Sequence, residues 1–453
     1  MIILGTNSIK DTGYDVDNSL RFNSGSSDYL NRTLSTPTNN KIYTWSGWFK
    51  KTTVGEVAPN IFGAHSGGLR DSIRFDGGGN ALQMIFNEAG SGNLVTTQLL
   101  RDVSAWYHLV VAVDTTQSTA TNRVKMYLNG NQITSFSTST YPAQNYVNIL
   151  NSAVPHVFGK NANLSNEYFN GYIAETVFID GQQLTPTSFG EFDEDSGIWK
   201  PIDVSGLTFG DNGFYLDFEN SGSLGADVSG NGNNFTVNNL TAVDQSTDTC
   251  TNNFATGNPL SPYVSRTISE GNLVHTSTTT HWTSLFSTIG VSSGKWWIEL
   301  KATAGVHHSF GIVNDFPVSE NGSIGDFTSI ATQQYGYYSN SGTKKTNETT
   351  AAYGDTWTNG DIINMSLNLD DNELKFYKNG VVQNSGTAIS LASGYTYFVG
   401  ASVYNSSAVS FNFGNPSFTI SSGNADGDGY GNFEYAVPSG YYALCTKNLA
   451  EYG

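Results

Sequence analysis

Apolar and polar residues alternate with a period of two along most of this chain, the pattern of β-strands that bury one face. The clearest example occurs twice, in the segments 124–130 and 374–380, which end in Asn129-Gly130 and Asn379-Gly380. An Asn-Gly pair supplies the positive φ angles that a type I′ hairpin turn needs. The two copies lie about 250 residues apart, too far for a repeat array, so they predict two related domains.

The remaining strand signals form two series, one from residue 19 to 179 and one from residue 263 to 413. Residues 107–113 are apolar on both faces, which predicts a central strand that is covered on both sides. Residues 362–369 instead alternate apolar side chains with Asn364, Ser366 and Asn368, and this pattern continues to Asp370, so one dry and one wet face are expected. No segment has a helical period. We predict an all-β chain of two antiparallel jelly-roll β-sandwiches.

The composition becomes acidic and rich in Gly and Pro around residues 189–201, which indicates a domain boundary. We expect an N-terminal arm at residues 1–17, a first sandwich at 18–195, an ordered connector with short strands at 196–262 and a second sandwich at 263–453. A disordered terminus is the alternative for the arm, and a flexible linker is the alternative for the connector.

The charge balance excludes some partners. The net charge is −18 and no Lys/Arg cluster is present, so the chain repels phosphate backbones and nucleic acid is not expected as a partner. The start of the chain turns polar at once, so no signal peptide is expected, and the longest apolar run is too short for membrane insertion. Cys250 and Cys445 are interpreted as buried free thiols, with a single long-range disulfide as the alternative.

Few residues are candidates for catalysis. A glycosidase needs a pair of carboxylates, but the nearest acidic run, residues 191–195, is flanked by glycine and indicates a solvated turn. His307 and His308 have no acid or nucleophile placed beside them by a motif, which favours a strand end. No phosphate-binding loop, zinc spacing or nucleophile elbow is present. We therefore predict a protein that is not an enzyme.

The aromatic residues include candidates for sugar binding. Six tryptophans fall within strand patterns and are expected in the cores: Trp45, Trp48, Trp106, Trp296, Trp297 and Trp357. Trp282 and the cluster Tyr335, Tyr337 and Tyr338 are better placed for exposure, which stacking on a sugar ring requires. These four residues are the predicted glycan-binding set.

One segment suggests calcium, the only cofactor that the sequence indicates. Oxygen-bearing side chains stand at alternate positions of a glycine-rich stretch, at Asn424, Asp426, Asp428 and Asn432. Tyr435 stands where a calcium loop has its bidentate glutamate, so a plain glycine-rich turn is the alternative. The segment 227–233 is a weaker oxygen-rich loop.

The first series resembles a laminin-G-like, concanavalin-type domain, and the second resembles a SPRY domain. The first resemblance rests on residues 43–49, 106–111, 127–130, 171–175 and 178–181. The second rests on residues 294–299, 310–312, 335–337, Trp357 with 360–363, 369–370, 376–380 and 411–414. Both families share a jelly-roll sandwich, which accounts for the repeated hairpin. Their fold does not fix their function.

The pairing of these two domains, with segments such as 213–218 and 438–445, resembles virion proteins of marine tailed phages, usually called tail fibre or lectin-like proteins. This resemblance implies a virion protein that is assembled in the host cytoplasm, forms a homo-oligomer with a trimer favoured, and contacts other virion proteins and host surface polysaccharide. Neutral polar loops suit a carbohydrate ligand. A purely architectural capsid decoration or connector protein is the alternative, and a polysaccharide hydrolase is a third.

Overall fold

The computed structural model describes residues 11–260, 266–316, 322–327 and 333–453, and the fold is nearly all β, as predicted. The first ten residues of the predicted arm, and residues 263–265 at the predicted start of the second sandwich, lie outside the described residues. The described chain divides into two compact units, residues 11–251 and residues 252–453. Across the described ranges, no helix is both long and apolar enough to cross a membrane.

The first unit consists of short strands joined by turns. Its strands are β1 (Ser19–Phe22), β2 (Tyr29–Thr33), β3 (Ile42–Lys51), β4 (Asn60–Ser66), β5 (Leu69–Phe75), β6 (Ala81–Phe86), β7 (Gly92–Leu99), β8 (Trp106–Asp114), β9 (Val124–Leu128), β10 (Asn131–Gln132), β11 (Phe136–Thr140), β12 (Pro155–Phe158), β13 (Gly171–Asp180), β14 (Gly190–Phe192), β15 (Trp199–Pro201), β16 (Phe214–Leu216), β17 (Thr236–Asn238) and β18 (Gln245–Ser246). Helix α1 (Ala120–Arg123) and 3-10 turns at Ile149–Asn151, Pro186–Ser188 and Ala242–Asp244 complete it.

All of these strands except β14 and β15, which pair with each other, form two large sheets that enclose one core. The first sheet has the order β10-β9-β8-β3-β13-β1-β18, with β16 also paired to β13, and the second has the order β11-β7-β6-β5-β4-β12-β2-β17. Trp45 and Leu109 of the first sheet pack in one apolar cluster with Phe62 and Met84 of the second. The unit is therefore an antiparallel β-sandwich.

Strand β8 is central and covered on both faces, as its sequence predicted. Leu109 and Val111 point into the main core, whereas Val110 and Ala112 join a second apolar cluster on the opposite face. Several residues after β13, among them Phe209, cover that opposite face. Strands predicted in the connector also lie in the sheets of this unit, since β16, β17 and β18 pair with β13, β2 and β1. The segment up to residue 251 thus completes the first sandwich.

The second unit has the same kind of construction. Its strands are β19 (Arg266–Ser269), β20 (Val274–Ser277), β21 (Thr283–Val291), β22 (Lys295–Ala304), β23 (His308–Val313), β24 (Gln334–Tyr338), β25 (Thr343–Thr346), β26 (Thr349–Ala352), β27 (Ile362–Asn368), β28 (Glu373–Lys378), β29 (Val381–Val382), β30 (Ile389–Ser390), β31 (Tyr397–Val403), β32 (Ala408–Asn412) and β33 (Tyr442–Ala443). A 3-10 turn at Asn384–Gly386 and helix α2 (Thr446–Tyr452) complete it.

One sheet of this unit has the order β19-β20-β32-β22-β27-β28-β29, with β30 paired to β28 and β33 paired in parallel to β22. The other has the order β21-β31-β23-β24-β25-β26. Trp296 and Met365 of the first sheet pack against Phe310 and Tyr337 of the second in one core.

The prediction that one face of β27 is exposed to solvent is wrong, because the C-terminal segment covers that face. Asn364, Ser366 and Asn368 are all buried, and only Asp370 beyond the strand is exposed. The Asn364 amide donates to Glu299 Oε1 at 3.0 Å, and the Asn368 amide donates to Asp371 Oδ2 at 2.8 Å, so the two asparagines of this face form hydrogen bonds with neighbouring carboxylates. A polar face was predicted correctly, but its cover lies more than 60 residues further along the chain.

The two hairpins are confirmed in detail. Asn129 and Asn379 have φ angles of 47° and 49°, and each is followed by a glycine with φ near 78°, as a type I′ turn requires. In each copy the Asn side-chain oxygen accepts the backbone N–H of the adjacent strand, from His108 at 2.8 Å and from Ile362 at 2.9 Å. An aromatic ring lies against each turn glycine, so the two copies share local chemistry as well as sequence.

Both cysteines are free thiols. Cys445 is buried and Cys250 is half-buried. Five of the six tryptophans predicted in the cores are buried, and Trp106 is half-buried with its indole N–H donated to Asp248 at 3.0 Å.

Candidate functional site

Four loops lie at the same end of the second unit. Because neighbouring antiparallel strands run in opposite directions, every second loop of such a sheet lies at the same end. These loops join β20 to β21, β22 to β23, β24 to β25 and β31 to β32. Trp282, His307 and Tyr404 lie on these loops, and Tyr338 ends strand β24 beside them. We call this group of four aromatic residues the loop cluster.

The rings of the loop cluster contact one another. Trp282 lies 5.6 Å from Tyr404 and 5.8 Å from Tyr338 between ring centroids, and His307 lies 5.4 Å from Tyr404 in an edge-to-face arrangement. Trp282, His307 and Tyr404 are partly exposed, whereas Tyr338 is buried beneath them. Aromatic pairs at such distances stabilise each other, so the exposed rings are held in place before any ligand arrives.

Backbone hydrogen bonds fix the loops that carry these rings. The Tyr404 N–H donates to the His307 carbonyl at 3.2 Å, and the Asn405 N–H donates to the Thr279 carbonyl at 3.0 Å. Asn405 and Ser406 both have positive φ angles, which mark the tight turn at the loop tip. Three chain segments are thus joined into one surface.

Polar groups surround the aromatic rings. The exposed amide of Asn340 lies 3.5 Å from His307 Nδ1, and His281 is exposed beside Trp282. Such a surface offers ring faces together with hydrogen-bond donors and acceptors, the combination that a sugar ring with its hydroxyl groups can engage.

The expected exposure of the tyrosine cluster is wrong for all three members. Tyr335 and Tyr337 point into the main core of the unit, and Tyr338, which faces the opposite side, is 6% exposed. The Tyr337 hydroxyl donates a hydrogen bond to the Asp355 carbonyl, and the Tyr335 hydroxyl accepts the Ala392 N–H at 3.0 Å. One face of β24 packs in the main core through Tyr335 and Tyr337, and on the other face the Tyr338 ring contacts Trp282 and the Lys345 ammonium group.

Only Trp282 of the predicted glycan-binding set reaches the surface. Tyr404, which the sequence analysis did not single out, takes the place of the tyrosine cluster. The sequence signal for Tyr404 was the polar pair Asn405-Ser406 directly after it, since such a pair favours a tight turn at the end of a strand.

The predicted calcium residues do not form a cation site. Both carboxylate oxygens of Asp426 accept protein donors: Oδ1 accepts the N–H groups of Asp428 and Tyr430, and Oδ2 accepts those of Ala443 and the Asn448 side chain. Asp428 is exposed and accepts the Tyr452 hydroxyl at 2.9 Å.

The other two predicted calcium residues, Asn424 and Asn432, do not form a cation site either. Asn424 and Asn432 lie on the two sides of a short backbone bridge between residues 424 and 433, and the Asn424 amide donates to backbone carbonyls. Within the described ranges, no cluster of three or more Asp, Glu, His or Cys side chains could hold a metal ion. The glycine-rich turn, kept as the alternative, is what these contacts describe.

The catalytic candidates hold structural positions. Glu191, Glu194 and Asp195 are exposed, and Lys200 lies 3.4 Å from Glu191 and from Asp193, as in a solvated turn. His308 is buried, and burial lowers its pKa.

Two buried carboxylates were not anticipated. Glu299 accepts four protein donors, and its burial raises its pKa to about 7. Glu175 stands at a bulge of β13 with a φ of 47°, accepts the Tyr215 hydroxyl at 2.7 Å, and has its pKa raised to about 8 by burial. Both carboxylates are engaged within their own unit.

A buried Ser46–His108 pair is also structural. Nε2 of His108 lies 2.8 Å from Ser46 Oγ, and the Trp199 indole N–H donates to Nδ1 at 2.9 Å. Since Nδ1 accepts, the proton of the neutral ring sits on Nε2 and is donated to the serine, the reverse of what a general base does. Burial lowers the pKa of this histidine to about 3.

The family comparisons agree with this architecture. Residues 23–188 match the model described as the concanavalin A-like lectin/glucanases superfamily, and residues 288–416 match the SPRY domain. The two matches follow one another along the chain in the order that the resemblances predicted, which supports this domain architecture. Both models describe lectin-like or binding domain types, which are usually non-enzymatic. His307, Tyr338 and Tyr404 of the loop cluster lie within the residues matched to the SPRY domain, and Trp282 lies six residues before them.

Solved structures show weaker similarity. The SPRY domain of human HERC1 is 15% identical with a TM-score of 0.27, and the match covers 34% of this chain and 96% of that one. A candidate carbohydrate-binding protein from Bacteroides ovatus is 15% identical with a TM-score of 0.34, covering 50% and 59%. A heptameric SAP-like pentraxin from Limulus polyphemus is 15% identical with a TM-score of 0.30, covering 38% and 80%. These scores are too low to carry an inference about function.

Proposed function

We propose that this chain is a non-enzymatic recognition protein of a phage virion, a tail fibre or fibre-like component that binds host surface glycan through the loop cluster. The observation that carries the proposal is the group of partly exposed rings, Trp282, His307 and Tyr404, held together on three hydrogen-bonded loops. The domain types support a binding role.

Physical chemistry favours an uncharged ligand with many hydroxyl groups. The chain has a net charge of −18, and charged residues make up only 13% of it, against roughly 25% in ordinary soluble proteins. Binding through ring faces and amides needs little charge, so we expect the affinity to depend weakly on salt.

The test measures binding of the full chain to purified host surface polysaccharide and to whole host cells. Trp282→Ala and Tyr404→Ala are expected to weaken binding by about fivefold each, because each removes an aromatic contact worth about 1 kcal/mol. Tyr395→Ala is the matched control, since Tyr395 is a 41% exposed tyrosine of the same unit outside the loop cluster. Blank binding on both the polysaccharide and the cells would refute the proposal.

The assembly part of the proposal has a separate test. We propose a homo-oligomer, with a trimer favoured, that contacts neighbouring virion proteins. Light scattering gives the mass of the isolated protein, and labelling of intact particles locates the chain. A position within the capsid shell together with blank glycan binding would favour the architectural alternative.

A further inference from the structure

A surface cleft of about 430 Å³ lies in the second unit, beside the C-terminal segment. Three tyrosines, Tyr441, Tyr442 and Tyr452, line it together with the charged side chains of Lys295 and Asp370. We call it the tyrosine cleft. Its volume falls within the range of about 300–1,000 Å³ that is usual for small-molecule sites.

All three tyrosines lie beyond residue 416, where the match to the SPRY domain ends. Tyr441 follows a tight turn in which its N–H donates to the Pro438 carbonyl at 3.0 Å, and Gly440 supplies the positive φ of 80°. Tyr442 begins β33, which pairs with β22 at Trp296. Tyr452 ends helix α2. Three different elements thus hold the tyrosine wall.

Two of the rings form a preset platform. Tyr442 and Tyr452 stack with ring centroids 3.7 Å apart and planes 11° apart, and the Tyr452 hydroxyl donates to Asp428 Oδ2 at 2.9 Å. Both side chains are partly exposed. Because a stacked ring uses one face for its partner, the pair can still offer an outer face to a flat ligand.

Polar groups line the rest of the cleft. Asp370 is exposed and accepts the Gly294 N–H through Oδ1 at 2.8 Å, and no donor in the described part of the chain reaches its Oδ2. Lys295 Nζ lies 3.4 Å from Asp371 Oδ2. The space in front of Gly440 is open, so a ligand can approach the backbone there.

The charge around the cleft selects against anions. Asp370, Asp371 and Asp428 contribute three negative charges against one positive charge from Lys295. Lys375, the other cation that acts on Tyr441, is paired with Glu373 at 3.6 Å. A phosphate or a uronate would be repelled, whereas a neutral hydroxyl can donate to Asp370 and accept from Lys295.

We propose that the tyrosine cleft binds one neutral pyranose ring of a glycan, stacked on the Tyr442–Tyr452 pair with its hydroxyls hydrogen-bonded to Asp370 and Lys295. This inference rests on the proposed function in that it assumes glycan binding, but it uses residues outside the loop cluster. The chain then carries two sugar subsites within its second unit.

The experiment uses the full chain and saturation-transfer NMR titrations with the methyl glycosides of glucose, mannose and galactose, and with glucuronate as an anionic probe. The titrations are run in the Trp282→Ala/Tyr404→Ala background, which removes both exposed aromatic contacts of the loop cluster that the proposed function invokes. We expect at least one methyl glycoside to bind saturably and more strongly than glucuronate.

Adding Tyr452→Ala to that background should weaken this binding by about tenfold, whereas adding the control Tyr395→Ala should leave it unchanged. Tyr452→Phe keeps the ring and should retain binding, which separates stacking from loss of the helix end. Asp370→Asn, an exposed and conservative change, should weaken binding without lowering the melting temperature.

The outcomes distinguish the two proposals. Neutral sugars that bind the wild-type chain but not the Trp282→Ala/Tyr404→Ala variant would overturn the tyrosine cleft and leave the loop cluster standing. Binding that is insensitive to Tyr452→Ala and Asp370→Asn, or stronger binding of glucuronate, would also overturn the cleft. Binding that survives Trp282→Ala and Tyr404→Ala but is lost with Tyr452→Ala would overturn the loop cluster alone.

Discussion

Replacing Glu175 by Gln should stabilise the first unit at pH 8 and change its stability little at pH 5. Glu175 is 6% exposed and accepts the hydroxyl of Tyr215 at 2.7 Å and that of Tyr14 at 3.3 Å. Its pKa rises from the ordinary 4.5 to about 8, chiefly because burial penalises the charged form. Gln keeps the shape and one acceptor oxygen, and it carries no charge at any pH.

The sign follows from proton binding. Between pH 4.5 and about 8 the folded state holds a proton that the unfolded state has released, so the stability of the wild-type unit falls as pH rises through this interval. One pKa unit corresponds to about 1.4 kcal/mol, which bounds the loss at about 5 kcal/mol. Between pH 5 and pH 8 we expect the free energy of unfolding of the wild type to fall by about 3 kcal/mol relative to that of Glu175→Gln.

Urea titrations of the full chain at the two pH values measure this difference, with pulse proteolysis and mass spectrometry to follow residues 11–251. Asp71 and Glu299 also have raised pKa values, but they titrate in both proteins and cancel in the comparison. Glu191→Gln is the control, since its side chain is 58% exposed. A difference between Glu175→Gln and wild type that is the same at pH 5 and pH 8 would refute the reasoning.

Two further predictions concern the hairpin turn at Asn129 and the glycine-rich turn around Asp426. Asn129→Ala should lower the free energy of unfolding of the first unit by about 2 kcal/mol, because it removes the acceptor of the His108 N–H and leaves alanine at a positive φ. The control is Gln132→Ala, a change at an exposed residue of the same hairpin. Equal urea midpoints for the two variants would contradict the explanation. Millimolar calcium should leave the melting temperature of the second unit unchanged, because four protein donors occupy the Asp426 carboxylate; a calcium-dependent rise in calorimetry would show that the loop does bind the ion.

The fold was predictable from the sequence because its signals are local. Alternation with a period of two specifies strands, and the Asn-Gly pairs specify the two hairpin turns whatever surrounds them. The doubly apolar pattern of residues 107–113 correctly predicted a strand with two covered faces. Each of these features depends on neighbours within about ten residues.

The errors arose where distant segments decide burial. Nothing near Tyr335 and Tyr337 indicates that the other sheet of the unit, which contributes Trp296 and Phe376 to the same core, covers their face of β24. The polar face of β27 resembles a solvated face until the C-terminal segment covers it. The spacing around Asp426 fits a calcium loop, but the donors that occupy its carboxylate include Asn448, which is distant in sequence.

The central claim is that exposed aromatic rings on the second sandwich bind glycan without help from charge. Its most direct test is the equilibrium affinity of the full chain for host surface polysaccharide, measured at salt concentrations from about 0.1 M to 1 M. The account predicts saturable binding that changes little across this range and weakens when Trp282 is replaced by Ala. Blank binding at every salt concentration, or binding that disappears as salt rises, would contradict it.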